Sequence, residues 1–467
     1  METRKAKAAA ARKGARSSGD RDEAAGDLIS GLPDAILGTI ISFLPTKDGG
    51  STQALSRRWR HLWRSAPLNL QVHPRPADFL LPAVPPSAVS KIISRHLGPG
   101  RRFSFTCLRA GDLYAKAESC FRSRALANLQ ELDIGYEYDW APTEKSSYPL
   151  PLLALGSAST LLILRVSNCD FPDEIAPSMS FPLLKRLSLH GVSIPGHVFH
   201  GLLSGCHALE SLYITDVRCA GGLRVSSPTL RSIGLEVDEC FRGSYLGRAE
   251  LVIQDAPCLE RLLLPGYHTD AHDCVTIRVI GAPKLEILGP FSACSSKLQV
   301  FKGMSPACSV NSICTVKILA LECTDNQLNA VLDVLRWLPC LEKLYVSFLE
   351  HYNMYKQSKH QYDPLHPIEC LETHLKEVVL KYYSGNKQKV DFARFFVLNA
   401  QVLNKIEFQV CGGYSSGRVD NQHKLLQVEN RASRDAQFEF KNTCFYMDYR
   451  LSNQIHDLSE GDPFRKL

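Results

Sequence analysis

A short unit of the form L-x-x-L-x-L, with Ile, Val or Phe replacing some leucines, recurs along most of this chain. No other feature restricts the fold so strongly. The clearest copies are Leu129 to Ile134, Leu161 to Val166, Leu184 to Leu189, Leu209 to Ile214, Leu230 to Leu235 and Leu259 to Leu264. The series continues with Leu285 to Leu288, Val316 to Leu321, Leu341 to Val346, Leu375 to Leu380 and Leu403 to Phe408. Alternating apolar residues predict one short strand per copy, the leading Leu anchoring the turn into it. No single unit can bury its own leucines, so the strands must stack into a parallel sheet along one side of a curved solenoid. A Pro stands shortly before several copies, as in Phe181-Pro182, Ser227-Pro228, Ala256-Pro257, Ala282-Pro283 and Leu338-Pro339. It ends whatever element precedes it. On the opposite side one helix is predicted, Asn326 to Leu338, with Leu328, Val331, Leu332 and Leu335 on one face. Loops and short turns are expected elsewhere on that side.

Steps of about 21 to 34 residues between copies suit leucine-rich repeats with irregular insertions. Ahead of them, Asp27 to Leu70 is far too apolar for an ordinary tail. It opens on Leu32-Pro33-Asp34, and Ile36, Ile40 and Leu44 then share one helical face. Pro33 suits a first turn, where its missing N–H costs nothing, and Pro45 marks the stop. Leu55, Trp59 and Leu62 follow at helical spacing among Arg57, Arg58, Arg60 and Arg64. So short a segment cannot bury Ile36, Leu37, Ile40, Ile41, Leu44, Trp59 and Trp63 within itself, and some of that surface needs a partner. The pattern from Leu32-Pro33-Asp34 to Leu55-Ser56-Arg57-Arg58-Trp59-Arg60-His61-Leu62-Trp63-Arg64-Ser65 resembles the F-box of plant F-box proteins that carry leucine-rich repeats. The resemblance implies that Leu32, Pro33, Ile36, Leu37, Ile40, Leu44, Leu55, Trp59, Leu62 and Trp63 form the core or the adaptor face. Gly49-Gly50 depart from that pattern, and each costs about 1 kcal/mol against Ala inside a helix. A helix starting at Lys47 would carry that cost, and one starting at Ser51 would not.

The far end has a second likeness. Cys370 to Leu380, Tyr383-Ser384-Gly385, Phe395 to Ala400 and Val402-Leu403 resemble the FBD region of the same plant proteins, and His456 to Phe464 resembles the ends of such chains. A helix is expected over Asp391 to Asn399, with Lys389-Val390 where those proteins often place a glutamate. The expected role of this region is to seal the open sheet edge. Together these give an α/β chain: a disordered basic tail (1–26), the F-box (27–70), and a Pro-rich linker or first cap (71–100) that separates it from the repeats. The leucine-rich-repeat solenoid (101–365) follows, capped by the α+β FBD region (366–467).

Composition narrows the function. The chain has 467 residues, 45% hydrophobic and 22% charged, as in soluble globular proteins. No apolar run reaches the roughly 18 residues a membrane helix needs, and the N-terminus lacks the apolar core of a secretory signal. The sixteen cysteines show no C-x-x-C spacing, so reduced, packed thiols are expected, in cytosol or nucleus. A net charge of +6 spread over the whole chain, with its basic residues dispersed, argues against nucleic acid. Phosphate-loop, H-E-x-x-H and G-x-S-x-G motifs are missing. His190, His197, His200 and His207 are expected on turns facing different ways, Asp173-Glu174 and Asp238-Glu239 as loop charges, and Cys411-Gly412-Gly413 without a catalytic partner. No cofactor or metal is expected. The resemblance implies a non-catalytic receptor, its F-box on the Skp-type adaptor of a cullin–RING ubiquitin ligase and its repeats on an unknown target protein. A non-ligase interaction scaffold and a small-molecule co-receptor are the alternatives. Arg186, Ser188, Tyr213, Lys343 and Tyr345 are candidates for the exposed strand face.

Overall fold

The computed structural model describes residues 28–29, 31–72, 86–107, 120–136, 149–173, 179–219, 222–236, 250–264, 276–293, 298–300, 313–323, 327–348, 367–410, 416–442 and 455–465. The 1–26 tail, the middle of the Pro-rich connector, Asp238-Glu239 and Cys411-Gly412-Gly413 lie outside them. The described strands are, in chain order, β1 (Leu68–Val72), β2 (Gly100–Cys107), β3 (Glu131–Tyr136), β4 (Ile163–Ser167), β5 (Arg186–His190) and β6 (Ser211–Thr215). Then come β7 (Leu223–Val225), β8 (Ser232–Glu236), β9 (Glu250–Gln254), β10 (Arg261–Leu263), β11 (Thr276–Ile280) and β12 (Ile287–Ser292). The last are β13 (Leu298–Val300), β14 (Ile318–Cys323), β15 (Lys343–Phe348), β16 (Glu377–Lys381), β17 (Lys405–Val410) and β18 (Gln437–Asn442).

Every L-x-x-L-x-L copy supplies a strand, and all of these belong to one fourteen-stranded parallel sheet. Its order is β1-β2-β3-β4-β5-β6-β8-β10-β12-β14-β15-β16-β17-β18. The register explains the motif. Leu132, Leu164, Leu187, Leu212, Ile233, Leu262, Leu288, Leu319, Leu344, Val378 and Ile406 lie side by side in one ladder. All are buried, so each repeat completes its neighbour's core. A residue between two anchoring leucines points to the other face, because side chains alternate along a strand.

The opposite side is more ordered than the sequence predicts. The Leu328–Leu335 helix is present and buries Val331, Leu332 and Leu335. Four segments expected as loops instead form a second parallel sheet, in the order β13-β11-β9-β7. Leu223, Val225, Leu251, Ile253, Ile277 and Val279 fill its inner positions. Each of these runs is only three to five residues long, too short for alternation to separate it from a loop. The Pro turns at Ser227-Pro228, Ala256-Pro257 and Ala282-Pro283 therefore join a back strand to a front strand.

The expected spacer does not separate the N-terminal helices from the sheet. They are α1 (Asp34–Phe43), α2 (Thr46–Ser51) and α3 (Arg57–Ser65), and β1 follows α3 after two residues. Asn69 on β1 donates from Nδ2 to the carbonyls of Ser42 and Leu44, while Thr46 Oγ1 donates back to the Asn69 carbonyl. Arg101 on β2 donates to the Ser42 carbonyl at 3.2 Å and stacks 4.5 Å from the centre of the Phe43 ring. Behind the connector, α4 (Pro86–Arg95) leads to His96, whose ring meets Trp63 with centroids 5.1 Å apart. Leu37, Ile41, Trp59 and Trp63 join the same core as the repeats.

The C-terminal region continues the same sheet through β16, β17 and β18. Its helix is Lys387–Asn399, starting four residues before the expected Asp391. Asn386 caps it, the side-chain oxygen accepting from the Lys389 N–H at 2.8 Å. Lys389 is buried rather than facing solvent and donates from Nζ to the Tyr382 carbonyl at 2.9 Å.

Candidate functional site

On α1 two apolar stripes run side by side. Leu37 and Ile41 are fully buried against the repeats, whereas Ile36, Ile40 and Phe43 are 48%, 41% and 65% exposed. The spacing i, i+4, i+7 places those three on one face. Leu55, at 66% exposure, adds to the uncovered apolar surface of the module, as do Leu28 and Ile29. The residues singled out in sequence therefore divide. Leu37, Trp59 and Trp63 are core; Leu32, Leu44 and Leu62 are half-buried; Pro33, Ile36, Ile40 and Leu55 face outward. Phe43, Leu28 and Ile29 were missed in sequence, although the 36/40/43 spacing carried the signal for Phe43. Pro33 occupies the N-cap of α1, its carbonyl accepting from the Ile36 and Leu37 N–H groups at 3.0 and 3.1 Å. Arg58 on α3 pairs with Asp34 at 2.7 Å and donates to the Leu32 carbonyl, clamping α3 to the start of α1.

Gly49 and Gly50 both lie inside α2, so the helix does carry its two glycines. The reason is steric for the first. A Cβ on Gly49 would stand 2.3 Å from Cζ3 of Trp63, while one on Gly50 would meet only Cζ2 at 3.9 Å. Gly49 is the seat of the Trp63 ring.

The second surface is the sheet face turned away from the core. Arg186, Ser188, Tyr213, Lys343 and Tyr345 all project there, but only Arg186 is exposed. Tyr213 and Tyr345 are buried because residues 455–465 run across the strands above them. Ile455 is 0% exposed and seats on Gly234, where an added Cβ would lie 2.0 Å from its Cδ1. His456 lies with Nε2 2.8 Å from Ser188 Oγ and Nδ1 2.6 Å from Ser211 Oγ, its ring edge-on to Tyr213. The Arg261 guanidinium donates to the carbonyls of Asp457, Leu458 and Glu460 at 2.9, 3.1 and 2.5 Å. Asp462 accepts from Tyr345 Oη at 2.7 Å and pairs with Lys343 Nζ at 2.8 Å. Phe464, 1% exposed, packs on Tyr345, and its carbonyl accepts from Lys381 Nζ at 2.9 Å. The track thus extends from β5 to β16.

Burial sets the electrostatics of this contact. It holds the Lys381 ammonium down at about 8 and, with Arg165 and Arg186 nearby, the His456 imidazole down at about 4. Burial also raises the Tyr345 phenol above its ordinary range, with the Asp462 carboxylate adding to the shift. At neutral pH His456 is uncharged, so one ring nitrogen donates and the other accepts.

Among the described residues, no three His, Cys, Asp or Glu side chains are grouped as a metal site would need, and no helix is long and apolar enough to cross a membrane. His190 lies on β5, while His197 and His200 lie on the Gly196–Ser204 helix. Cys169, Cys206, Cys323 and Cys370 are buried, and burial pushes the Cys206 and Cys370 thiols up to about 12. Cys314 departs from the all-reduced expectation, being disulfide-bonded.

Comparison with known proteins agrees with this architecture. A model described as F-box domain matches residues 29–71, one described as FBD-associated F-box protein At5g56370, LRR repeats, matches 117–346, and one described as FBD matches 363–408. Among curated relatives, the Probable FBD-associated F-box protein At1g32375 of Arabidopsis thaliana is 27% identical over 81% of this chain and 92% of its own length. The F-box/LRR-repeat protein At3g59190 of the same plant is 30% identical over 48% of this chain and 59% of its own length. The F-box/FBD/LRR-repeat protein At1g80470 is 26% identical over 81% of this chain and 85% of its own length. With F-box helices, a leucine-rich-repeat sheet and an FBD region in one chain, the protein belongs to the plant F-box/LRR/FBD proteins.

Proposed function

We propose that this chain is the target-recognition subunit of an SCF-type cullin–RING ubiquitin ligase. Its F-box holds the Skp-type adaptor, and its repeats hold a protein to be ubiquitinated, in the cytosol or nucleus. The observation that carries the reading is the outward apolar stripe of Ile36, Ile40 and Phe43, which the described residues leave largely exposed. A stripe of that kind on a module already buried on its other side fits a helical partner groove. The contribution to ubiquitin transfer is proximity: holding target and adaptor on one chain raises the effective concentration of target lysines at the transfer site. The chain supplies no reacting group in this scheme.

A pull-down of purified adaptor tests it. The wild-type chain should retain the adaptor, and Ile36→Glu/Ile40→Glu should lose at least tenfold in binding with its unfolding midpoint unchanged, since both side chains are already outside the core. Absence of binding by folded wild-type protein would refute the ligase role.

A further inference from the structure

Over most of its length, the cations on the outward face of the front sheet are met by carboxylates. Residues 455–465 close the middle rungs, with Ile455 and Phe464 buried at the two ends of the track. Beneath them Lys343 pairs with Glu377 at 2.9 Å and Asp462 at 2.8 Å. The Asp457 and Glu460 carboxylates act on Arg261, and those of Asp462 and Glu407 on Lys381. Over β17 and β18, Lys405 and Lys441 share Glu407 and Glu439 at 2.6 to 3.5 Å. The first rungs differ. On β2 to β5 the outward charges are Arg102, Arg165 and Arg186 against Glu131 and Asp133, three positive and two negative. Arg102 holds Glu131 at 3.7 Å, and Asp133 accepts from Ser104 Oγ at 3.2 Å. Asp133 stands in register beside Arg165, yet among the described residues neither Arg165 nor Arg186 makes a hydrogen bond or an ion pair. Arg186 is exposed, with Ile163 and Ser211 as its neighbours in register. The two arginines sit on adjacent strands two residues out of register, about 8 Å apart at Cα. Both act on the His456 imidazole at the near end of the cover, so their fields overlap there.

We propose that the target-docking part of the repeats is this first stretch, β2 to β5, and that Arg165 and Arg186 take an acidic segment of the target protein. The proposal rests on reading the repeats as the target-holding surface; it names the rungs and gives the target a chemistry. Residues i and i+2 of an extended segment lie on one side about 6.6 Å apart, so two carboxylates at that spacing reach both guanidiniums. Each such pair is charge-assisted, and the guanidinium fork accepts a carboxylate in bidentate fashion. Residues 455–465 stay in place as the wall of the site, with His456 at its edge. A target held here sits on the rungs nearest the F-box helices.

Fluorescence anisotropy on the full-length chain tests it, with fluorescein-labelled hexaglutamate and hexaglutamine as probes at about 50 mM salt, where screening is weak. The wild-type chain should prefer hexaglutamate. Arg165→Gln/Arg186→Gln should weaken hexaglutamate binding by about fivefold or more, the order expected of two partly exposed ion pairs. Arg224→Gln/Lys284→Gln removes the same charge from exposed positions on β7 and the turn before β12, and should leave binding unchanged. Equal loss in the two double variants, or no preference for hexaglutamate by the wild type, overturns the proposal. Should Arg165→Gln/Arg186→Gln not fold, Arg186→Glu decides, since it reverses one charge at an exposed position. Hexaglutamate binding lost in that variant supports the site, and binding retained overturns it. Adaptor retention by the same variants reports separately on the ligase reading.

Discussion

Replacing Gly49 and Gly50 singly by Ala should change stability in opposite directions, although the two residues are adjacent in one helix. Helix propensity favours Ala over Gly by about 1 kcal/mol at either position. For Gly50 little opposes it, because the new Cβ meets Trp63 Cζ2 at 3.9 Å, an ordinary contact. Gly50→Ala should therefore stabilise by about 0.5–1 kcal/mol. For Gly49 the Cβ would lie 2.3 Å from Cζ3 and 2.9 Å from Cε3 of Trp63, against the 3.4 Å at which ordinary contact begins. The ring must retreat by about an ångström, yet it is buried and already packs on His96 at a centroid distance of 5.1 Å. Overpacking of this kind costs about 1–3 kcal/mol, more than the propensity gain. Gly49→Ala should thus destabilise by up to about 2 kcal/mol, and the pair should differ by roughly 1–3 kcal/mol. Urea unfolding followed by tryptophan fluorescence reads this directly, since Trp59 and Trp63 are both in the module. Equal stabilisation by the two substitutions would refute the steric account of Gly49.

Leu37→Ala, which empties a fully buried site, should cost about 2–5 kcal/mol by the same unfolding assay, unlike substitutions at the exposed Ile40. Acidification should loosen residues 455–465. His456 is held at about 4 by burial and by Arg165 and Arg186, facing the hydroxyls of Ser188 and Ser211 and the Tyr213 ring. Released, it would titrate near 6.5, so the released state binds more protons between those values. Docking is then full above about pH 6.5 and weaker by about 2 kcal/mol at pH 5. Hydrogen exchange of the segment at the two pH values, compared with strand amides, checks it, and His456→Gln should remove the dependence. Asn386→Ala removes the cap of the Lys387–Asn399 helix and should cost about 1 kcal/mol in thermal or urea unfolding.

The front sheet was legible because its signal is repeated. Each L-x-x-L-x-L copy is short, but eleven in series leave no other way to bury the leucines. The back strands carried no such redundancy: ELVIQ and TIRVI read as strands only once their neighbours in space are known. The outward residues Tyr213 and Tyr345 were assigned to the correct face but taken as candidates for exposure. Their cover comes from residues more than a hundred positions away, and contacts at that separation leave no periodicity in sequence. The F-box motif identified the right helices without separating their buried stripe from the outward one. That division depends on β1 and β2 packing behind α1, through Asn69 and Arg101.

The unbroken sheet also fixes a geometry. Because β1 follows α3 directly, and Asn69, Thr46 and Arg101 lace the helices to the first two strands, a hinge is missing between the adaptor-facing module and the first rung. Neighbouring strands are about 4.8 Å apart, so fourteen of them measure out roughly 60 Å from the first rung to the last. A ligand gripped one strand further along is carried about 5 Å further from the adaptor. Under the ligase reading the sheet is a ruler, and the rung that grips the target selects which of its lysines comes within reach.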